Sequence, residues 1–334
     1  MDFERLLLWY QENQRDLPFR KTEDPYHIWV SEIMLQQTQV DTVIPYFNKF
    51  IKIYPSVTDL AQTSEEVLLK VVEGLGYYRR FKHMLKAVQY IVNHHQGVFP
   101  STYEDVLKLP GVGMYTAGAI LSIAFHKPYS AVDGNVIRVL SRYFAIDDDM
   151  RQEKNKKIIQ NLNQDLIEKT KPNMYTQALM ELGAIICRPK QPKCSVCPLN
   201  QTCAAYQNND QERYPVLSKL GAKTEKTYIT FVIKDDKHYY LNKRTESLLE
   251  GMYEYPQIES ESLYSALDVL EKQGVIIEPE QTPTVVKHVF THQIWTMHVY
   301  HARLIGKSHP NWQKLTKEAL LLKPMAVAHK KIKR

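Results

Sequence analysis

A glycine-rich turn, Leu-Pro-Gly-Val-Gly at residues 109–113, constrains the fold of this chain more than any other segment. Its proline fixes φ, and its two glycines allow a backbone path that few other residues could follow. Apolar side chains at helical spacing resume at Tyr115, so the turn opens a helix. The first N–H groups of a helix have no partner inside it and suit a phosphate. No Gly-Lys-Ser/Thr follows, so the turn is not a P-loop.

An acidic residue, Asp133, stands at the start of the next predicted helix, in the sequence Asp-Gly-Asn before the apolar positions of 136–140. Here it is predicted to cap the helix N-terminus, where a carboxylate stays ionised easily. A phosphate-binding turn and an ionised carboxylate on successive helices suggest chemistry on a nucleic acid.

A second acidic residue, Glu32, lies on a predicted helix that starts at Pro25. Ile28 and Leu35 flank it on nearly the same face. An acid in this setting either points into solvent, which is the ordinary case, or is buried with a raised pKa. Residues 36–39, Gln-Gln-Thr-Gln, follow it. Such amides read the edges of bases, and they also serve simply as polar residues at a helix end.

Residues 74–80, Gly-Leu-Gly-Tyr-Tyr-Arg-Arg, combine an apolar wedge, two aromatic rings and two phosphate partners. The same residues also suit a helix C-terminus followed by a pair of core tyrosines. The net charge of +6 and the pI of about 8.8 decide little, because an ordinary protein surface reaches these values too.

All four cysteines fall in one loop, with the spacing C-x6-C-x2-C-x5-C: Cys187, Cys194, Cys197 and Cys203. A disulfide framework would spread them along the chain, so the cluster indicates a metal site. Zinc ribbons pair two C-x2-C motifs, and only one is present. Four thiolates without a histidine favour an iron–sulfur cluster over zinc, which stays open as the alternative. Either centre would be structural, since four protein ligands leave no open position.

The pattern of apolar and polar residues changes near residue 225. No β pattern appears earlier, so residues 1–205 are predicted as an all-α domain. The polar residues 206–225 are predicted as a linker. Strand-like alternation then surrounds one helical stretch, so residues 226–334 are predicted as a second, α/β domain. A chain of 334 residues, 44% of them hydrophobic, is long enough for two such cores.

No feature of the sequence indicates a membrane or secreted protein. No apolar run reaches the length of a membrane span, and residues 1–10 lack the basic start of a signal peptide. We expect a cytoplasmic monomer, associated with the nucleoid if the source is bacterial. The basic tail, residues 328–334, is predicted as a frayed, solvated end.

Taken together, these segments resemble the helix–hairpin–helix DNA glycosylases, and in particular their adenine-specific branch. The resemblance covers nearly the whole chain. Its motifs are SEIMLQQTQV (31–40), GLGYYRR (74–80), LPGVGMYTAGAI (109–120), VDGNVIRV (132–139), the cysteine loop and FTH (290–292). It implies a base excision repair enzyme whose partner is double-stranded DNA. Adenine opposite 8-oxoguanine or guanine would be flipped out of the duplex and its N-glycosidic bond hydrolysed.

The resemblance also implies roles for single residues. Glu32 would protonate N7 of adenine, and Asp133, ionised, would stabilise the positive charge left on the sugar. Tyr115 and Asn135 would line the same pocket, and Arg20 would contact adenine. The bifunctional relative, endonuclease III, carries a lysine at the position of Tyr115, so we expect a glycosylase that does not cleave the strand.

The DNA contacts implied by the resemblance fall into two groups. Backbone amides of the turn would hold a phosphate, and three side chains would wedge into the duplex around the lesion. The turn positions are Leu109, Gly111, Val112 and Gly113, and the wedge positions are Gln37, Leu75 and Tyr77. The cysteine loop would hold a [4Fe–4S] cluster.

The second domain resembles the Nudix fold without its Arg-Glu-x-x-Glu-Glu metal box, so no pyrophosphatase activity is expected. Phe290, Thr291 and His292 lie where the family reads the oxidised guanine. Many members carry serine where this chain has Thr291. Two other functions stay open: a related glycosylase acting on another mispair, such as thymine opposite guanine, and a non-catalytic iron–sulfur DNA-binding protein.

Overall fold

The computed structural model of the protein describes residues 1–219 and 221–333. These form two compact units. The first consists of Met1–Gln62 and His83–Lys219, and the second of Thr63–Lys82 together with the described residues after 220. The sequence predicts residues 1–205 as one domain, whereas Thr63–Lys82 belong to the second unit in the structure.

The described residues up to 219 form helices and no strand, which confirms the all-α prediction. The α-helices are α1 (Phe3–Asn13), α2 (Pro25–Leu35), α3 (Val40–Ile53), α4 (Val57–Ala61), α5 (Glu65–Val71), α6 (Arg79–His95), α7 (Tyr103–Leu107), α8 (Met114–Phe125), α9 (Gly134–Phe144), α10 (Glu153–Ile167), α11 (Pro172–Ile185) and α12 (Ala204–Gln207). Short 3-10 turns lie at Pro18–Arg20, Cys194–Val196, Asn200–Thr202 and Gln211–Arg213.

Helix α8 is the centre of the first unit. It is apolar on all sides, it is buried from Thr116 to Ile123, and it packs against both α2 and α11. A Cβ at Gly118 would lie 2.1 Å from the carbonyl oxygen of Ser130, so only glycine lets the loop before α9 pass this closely. The packing brings the start of α9 to the same cavity as α2 and α8, so the four predicted catalytic side chains, Glu32, Tyr115, Asp133 and Asn135, lie together.

The second unit is built on a mixed eight-stranded sheet, which confirms the α/β prediction. The strand order is β3-β2-β1-β7-β5, with β4 paired to β1, β6 to β7 and β8 to β2. Among the strands of the described residues, only β1 and β7 pair in parallel, and Tyr228 stands opposite Met297 in their register. The strands are β1 (Thr224–Lys234), β2 (His238–Lys243), β3 (Tyr253–Glu254), β4 (Gln257–Glu259), β5 (Ile277–Pro279), β6 (Thr284–Val289), β7 (Gln293–Leu304) and β8 (Trp312–Thr316).

Helices cover the sheet on both faces. Helix α13 (Leu263–Lys272) buries Ala266 and Leu270 against the face that carries Phe231. The other face carries Trp295 and Met297 and is covered by the end of the chain, with α14 (Lys317–Leu322) and α15 (Val327–Lys330).

Two segments that the sequence interpretation left irregular are ordered. The predicted linker begins within α12, and further on the Met150 N–H donates to the carbonyl of Val216 at 2.9 Å. The prediction of a frayed tail is wrong: residues 327–330 form α15, and Ala328 and Ile332 are buried in the core of the second unit. Met325, Ala328 and Ile332 pack into this core although lysines surround them in the sequence.

No helix of the described residues combines the length and the apolar character that crossing a membrane would require.

Candidate active site

Glu32 lies on α2 and is only 7% exposed, so the structure has the buried alternative rather than the solvated one. The hydroxyl of Tyr115, from α8, donates to Glu32 Oε2. Burial raises the pKa of Glu32 to about 7, the negative charge of Asp133 adds to this, and the Tyr115 hydrogen bond opposes it. A substantial fraction of this carboxyl group is therefore protonated near neutral pH.

Tyr115 keeps its proton in this environment. Burial and the neighbouring carboxyl groups of Glu32 and Asp133 raise the pKa of Tyr115 well above its ordinary value. Its hydroxyl is therefore a hydrogen-bond donor fixed on the carboxyl of Glu32.

Asp133 caps α9, as predicted. Its Oδ1 accepts from the Val136 N–H at 2.7 Å, and its Oδ2 accepts from Asn135 Nδ2 at 2.7 Å. The helix start does not hold the pKa of Asp133 below its ordinary value, as the sequence had suggested. Burial raises this pKa and outweighs the opposing hydrogen bonds from Val136 and Asn135. The side chain is half-buried. Each of its oxygens accepts one of these hydrogen bonds, which favours the ionised form.

Asn135 links Asp133 to the rest of the fold. Its Oδ1 accepts from Arg138 Nη2 at 2.8 Å, and the same guanidinium donates to the carbonyls of Cys187 and Gly183, both at 2.7 Å. A Cβ at Gly183 would lie 2.6 Å from the Cβ of Asn135, so glycine lets α11 approach this side chain. The Asn135 amide is thus oriented to donate to Asp133.

One cavity of about 620 Å³ brings together six of the predicted site residues of the first unit. This volume is in the range of pockets that hold small molecules, and so suits a base with its sugar. The predicted residues that line it are Arg20, Glu32, Gln37, Tyr115, Asp133 and Asn135. Apolar side chains complete the wall: Leu17, Phe19, Ile28 and Met180.

Sequence reasoning missed Glu181, which lies on α11 and also lines this cavity. It is fully buried and accepts from Arg20 Nη2 at 2.6 Å and from Arg15 Nη2 at 2.8 Å. Burial alone would raise its pKa, but the two guanidinium groups lower the pKa of Glu181 to about 2. It therefore stays ionised and fixes Arg20 at the cavity. The available signal was the same as for Glu32: an acid within an apolar helical stretch.

The 109–113 turn is held from inside. Leu109 and Val112 are buried, and Gly111 has a φ of +78°. A Cβ at Gly111 would lie 2.6 Å from the Cβ of His83. The Val112 N–H donates to the Leu109 carbonyl at 3.0 Å, so this amide is engaged inside the turn. Gly113 begins α8 without a side-chain cap, which leaves the start of the helix suited to an anion.

The four cysteines line one apolar pocket beside α9, with Val139, Tyr143 and Leu182 in its wall. None of the four is joined to another cysteine by a disulfide bond. Arg142 Nη1 lies 3.4 Å from Cys187 Sγ and donates to the carbonyl of Arg188 at 2.7 Å. Within residues 1–219 and 221–333, no three His, Cys, Asp or Glu side chains are grouped closely enough to hold a single metal ion.

A second cavity, of about 420 Å³, lies within the second unit. Residues 76–79 and 288–293 both line it, so the GLGYYRR and FTH motifs meet. The hydroxyls of Tyr77 and Thr291 are hydrogen-bonded to each other. The ring of Phe290 packs edge-on against Trp295, with 4.8 Å between the ring centroids.

The wedge positions differ in exposure. Gln37 is exposed and Tyr77 is 45% exposed, as insertion into a duplex requires. Leu75 is only 6% exposed, because the turn at residues 74–76 directs it inward. The structure therefore does not present Leu75 as a wedge.

Comparisons with known proteins match both units. Residues 30–169 match the family described as HhH-GPD superfamily base excision DNA repair protein, and residues 229–334 match the NUDIX domain. The adenine DNA glycosylase of Buchnera aphidicola subsp. Schizaphis graminum is 35% identical over 301 residues, which cover 89% of this chain and 86% of that protein. The chain belongs to the adenine DNA glycosylase family. The adenine DNA glycosylase of Schizosaccharomyces pombe is 32% identical, with 90% of this chain and 81% of that protein covered.

A solved structure of a thermostable thymine-DNA glycosylase is also similar, with a TM-score of 0.57 and 31% identity. It covers 94% of that chain but 61% of this one. This chain, a member of a base excision repair family, therefore contains a large region that has no counterpart in that structure.

Proposed function

We propose that this protein hydrolyses the N-glycosidic bond of adenine opposite 8-oxoguanine or guanine in double-stranded DNA, without cleaving the strand. One observation carries the proposal: a buried carboxyl, Glu32, and a capped carboxylate, Asp133, line one cavity, and Tyr115 is hydrogen-bonded to the former. Two carboxyl groups in different environments are what acid-assisted departure of a base requires. The names of the related adenine DNA glycosylases support the choice of base.

Glu32 supplies the proton. Adenine leaves poorly as an anion, and transfer of the Glu32 proton to N7 lets it leave as a neutral base with the electron pair of the C1′–N9 bond. Positive charge then develops on the deoxyribose. Asp133, oriented by Asn135, stabilises that charge until water adds to C1′ and gives up its proton to a carboxylate.

The presence of Tyr115 supports a glycosylase that does not cleave the strand. A Schiff base needs a lysine amine at the sugar. Among the described residues, those that line the cavity include no lysine. A tyrosine hydroxyl held on Glu32 cannot replace the amine, so the product is an abasic site in an intact strand.

The cavity of the second unit is proposed to read the base opposite adenine. Thr291 and Tyr77 present hydroxyls at its wall, and Phe290 and His288 present rings. Hydroxyls donate and accept, so they suit a base edge that carries an additional oxygen and N–H group. Thr291 thus has the hydroxyl that this reading needs.

The cysteine pocket is proposed to hold a [4Fe–4S] cluster through Cys187, Cys194, Cys197 and Cys203. An apolar wall and four thiols without a nearby histidine suit such a cluster. When bound, it supplies a rigid anchor for the loop rather than a catalytic step. Through the Cys187 carbonyl the loop supports Arg138, and Arg138 in turn holds the amide of Asn135.

The cluster gives a prediction of its own. The protein purified without chelator is expected to be brown, with iron and acid-labile sulfide in equal amounts. Cys197→Ser should remove the colour and lower the melting temperature, because a ligand on a buried wall is lost. Iron and sulfide assays on both proteins measure this. A colourless protein loaded with zinc would refute the cluster.

A further inference from the structure

The chain ends in a segment, residues 323–333, that we call the tail segment. It packs on the sheet of the second unit. The Tyr253 N–H donates to the Pro324 carbonyl at 2.7 Å, and Met325, Ala328 and Ile332 are buried in the sheet's core. The tail segment is therefore a fixed part of the unit, and Lys323 and Lys330 in it have defined partners.

Opposite the tail segment lies the reading turn, residues 73–78, which carries Tyr77. Its backbone has positive φ at Gly74 (+111°), Gly76 (+71°) and Tyr77 (+49°). For Tyr77 this is an uncommon conformation that neighbouring contacts must hold in place. The two glycines before Tyr77 also make the turn entropically costly to order.

Glu73 joins the reading turn to the tail segment. Its side chain is only 8% exposed. The carboxylate accepts from Lys330 Nζ at 2.9 Å and from the Met325 N–H at 2.8 Å, both in the tail segment. Lys70 Nζ, on α5, lies 2.8 Å from the same carboxylate. These charge-assisted contacts with a nearly buried group are stronger than exposed ion pairs.

Glu66, in the first turn of α5, makes the second attachment. It accepts from Lys323 Nζ at 2.7 Å and from the Tyr253 hydroxyl at 3.0 Å. Lys70 Nζ donates to the Lys323 carbonyl at 3.1 Å. At the far end of the reading turn, Tyr77 is hydrogen-bonded to Thr291. The reading turn is thus held by the tail segment at its start and by Thr291 at Tyr77.

We propose that the tail segment is a positioning element for recognition of the opposite base. Lys330 and Glu73 are positioning residues that hold the reading turn so that the Tyr77 hydroxyl meets Thr291 at the second cavity. This inference rests on the proposed role of that cavity. The residues proposed for adenine excision lie in the first unit, so loosening the turn reduces discrimination of the opposite base without removing the chemistry.

The test is Lys330→Glu, which places a negative charge against Glu73. Lys333→Glu is the matched control, because it makes the same charge change in the tail segment at an exposed residue for which the described chain shows no ion pair. Lys330→Arg keeps the positive charge at this position. Glu73→Gln removes the negative charge of its partner at nearly constant side-chain size. The readouts are amide hydrogen exchange at residues 74–78 and the ratio of single-turnover adenine release from adenine:8-oxoguanine and adenine:guanine duplexes.

For Lys330→Glu and Glu73→Gln we expect exchange at residues 74–78 to rise and the release ratio to fall, each about tenfold, which corresponds to about 1.4 kcal/mol. Release from adenine:guanine should persist, and Lys330→Arg and Lys333→Glu should behave like the unmodified protein. Equal exchange and equal ratios in Lys330→Glu and Lys333→Glu would overturn the inference. If the unmodified protein shows no preference for 8-oxoguanine, the proposed role of the cavity fails instead, and hydrogen exchange still reports whether Lys330 holds the turn.

Discussion

Replacing Glu32 by glutamine is expected to lower the single-turnover rate of adenine release by a factor on the order of 10² to 10⁴, the usual contribution of a general acid. Glutamine keeps the size of the side chain and can still accept from Tyr115, but it has no proton to give to N7. DNA affinity should stay unchanged, because the substitution leaves the phosphate contacts alone. Quench-flow base release and equilibrium binding on the same duplex measure the two quantities.

The pH dependence of activity tests the same role. The Glu32 pKa of about 7 means that the unmodified enzyme should lose activity as pH rises through 7, since the acid form disappears.

The stability of the protein should depend on the same group. The pKa of Glu32 in the folded state lies above its pKa in the unfolded state, so Glu32 contributes stability that is complete below its ordinary pKa of 4.5 and is lost as pH rises to about 7. Glu32→Gln should therefore be more stable than the unmodified protein at pH 8, by on the order of a few kcal/mol. Unchanged activity of this variant would remove Glu32 from the mechanism.

Asp133→Asn should have the second large effect, a loss in the rate of adenine release on the order of 10² to 10³. Asparagine caps a helix as well as aspartate does, so α9 should keep its start and only the negative charge is lost. Single-turnover base release and thermal unfolding are the measurements.

Asp24→Asn is the matched control for this substitution. Asp24 caps α2 in the same way, with its side chain accepting from Tyr26 N–H at 2.8 Å, but it is exposed and outside the cavity. It should retain full activity. Equal activity in the two variants would show that the charge of Asp133 has no part in catalysis.

Local sequence was sufficient for features that depend on neighbours along the chain. The start of α2 at Pro25, the cap at Asp133 and the turn at 109–113 all follow from residue types and short spacings. The pKa of Asp133 does not follow from the local sequence, because burial in the fold raises it against the effect of the helix start. The ion pairs of Glu181 do not follow from local spacing either, since its two arginine partners are far away in sequence.

The second unit shows this limit more clearly. The FTH and GLGYYRR motifs were each found, but nothing local predicts that Tyr77 and Thr291 share a hydrogen bond across more than two hundred residues of chain. The lysines of the tail predict a frayed end, whereas Met325 and Ile332 determine its structure because they pack on strands distant in sequence. The inward direction of Leu75 likewise depends on the backbone of the turn.

The proposed activity is tested most directly by base release from a panel of duplexes that differ only in the mispair: adenine opposite 8-oxoguanine, adenine opposite guanine, and thymine opposite guanine. We expect release of adenine from the first two, none of thymine from the third, and strand breaks only after treatment with alkali. Release of thymine, or no abasic site in any duplex, would contradict it.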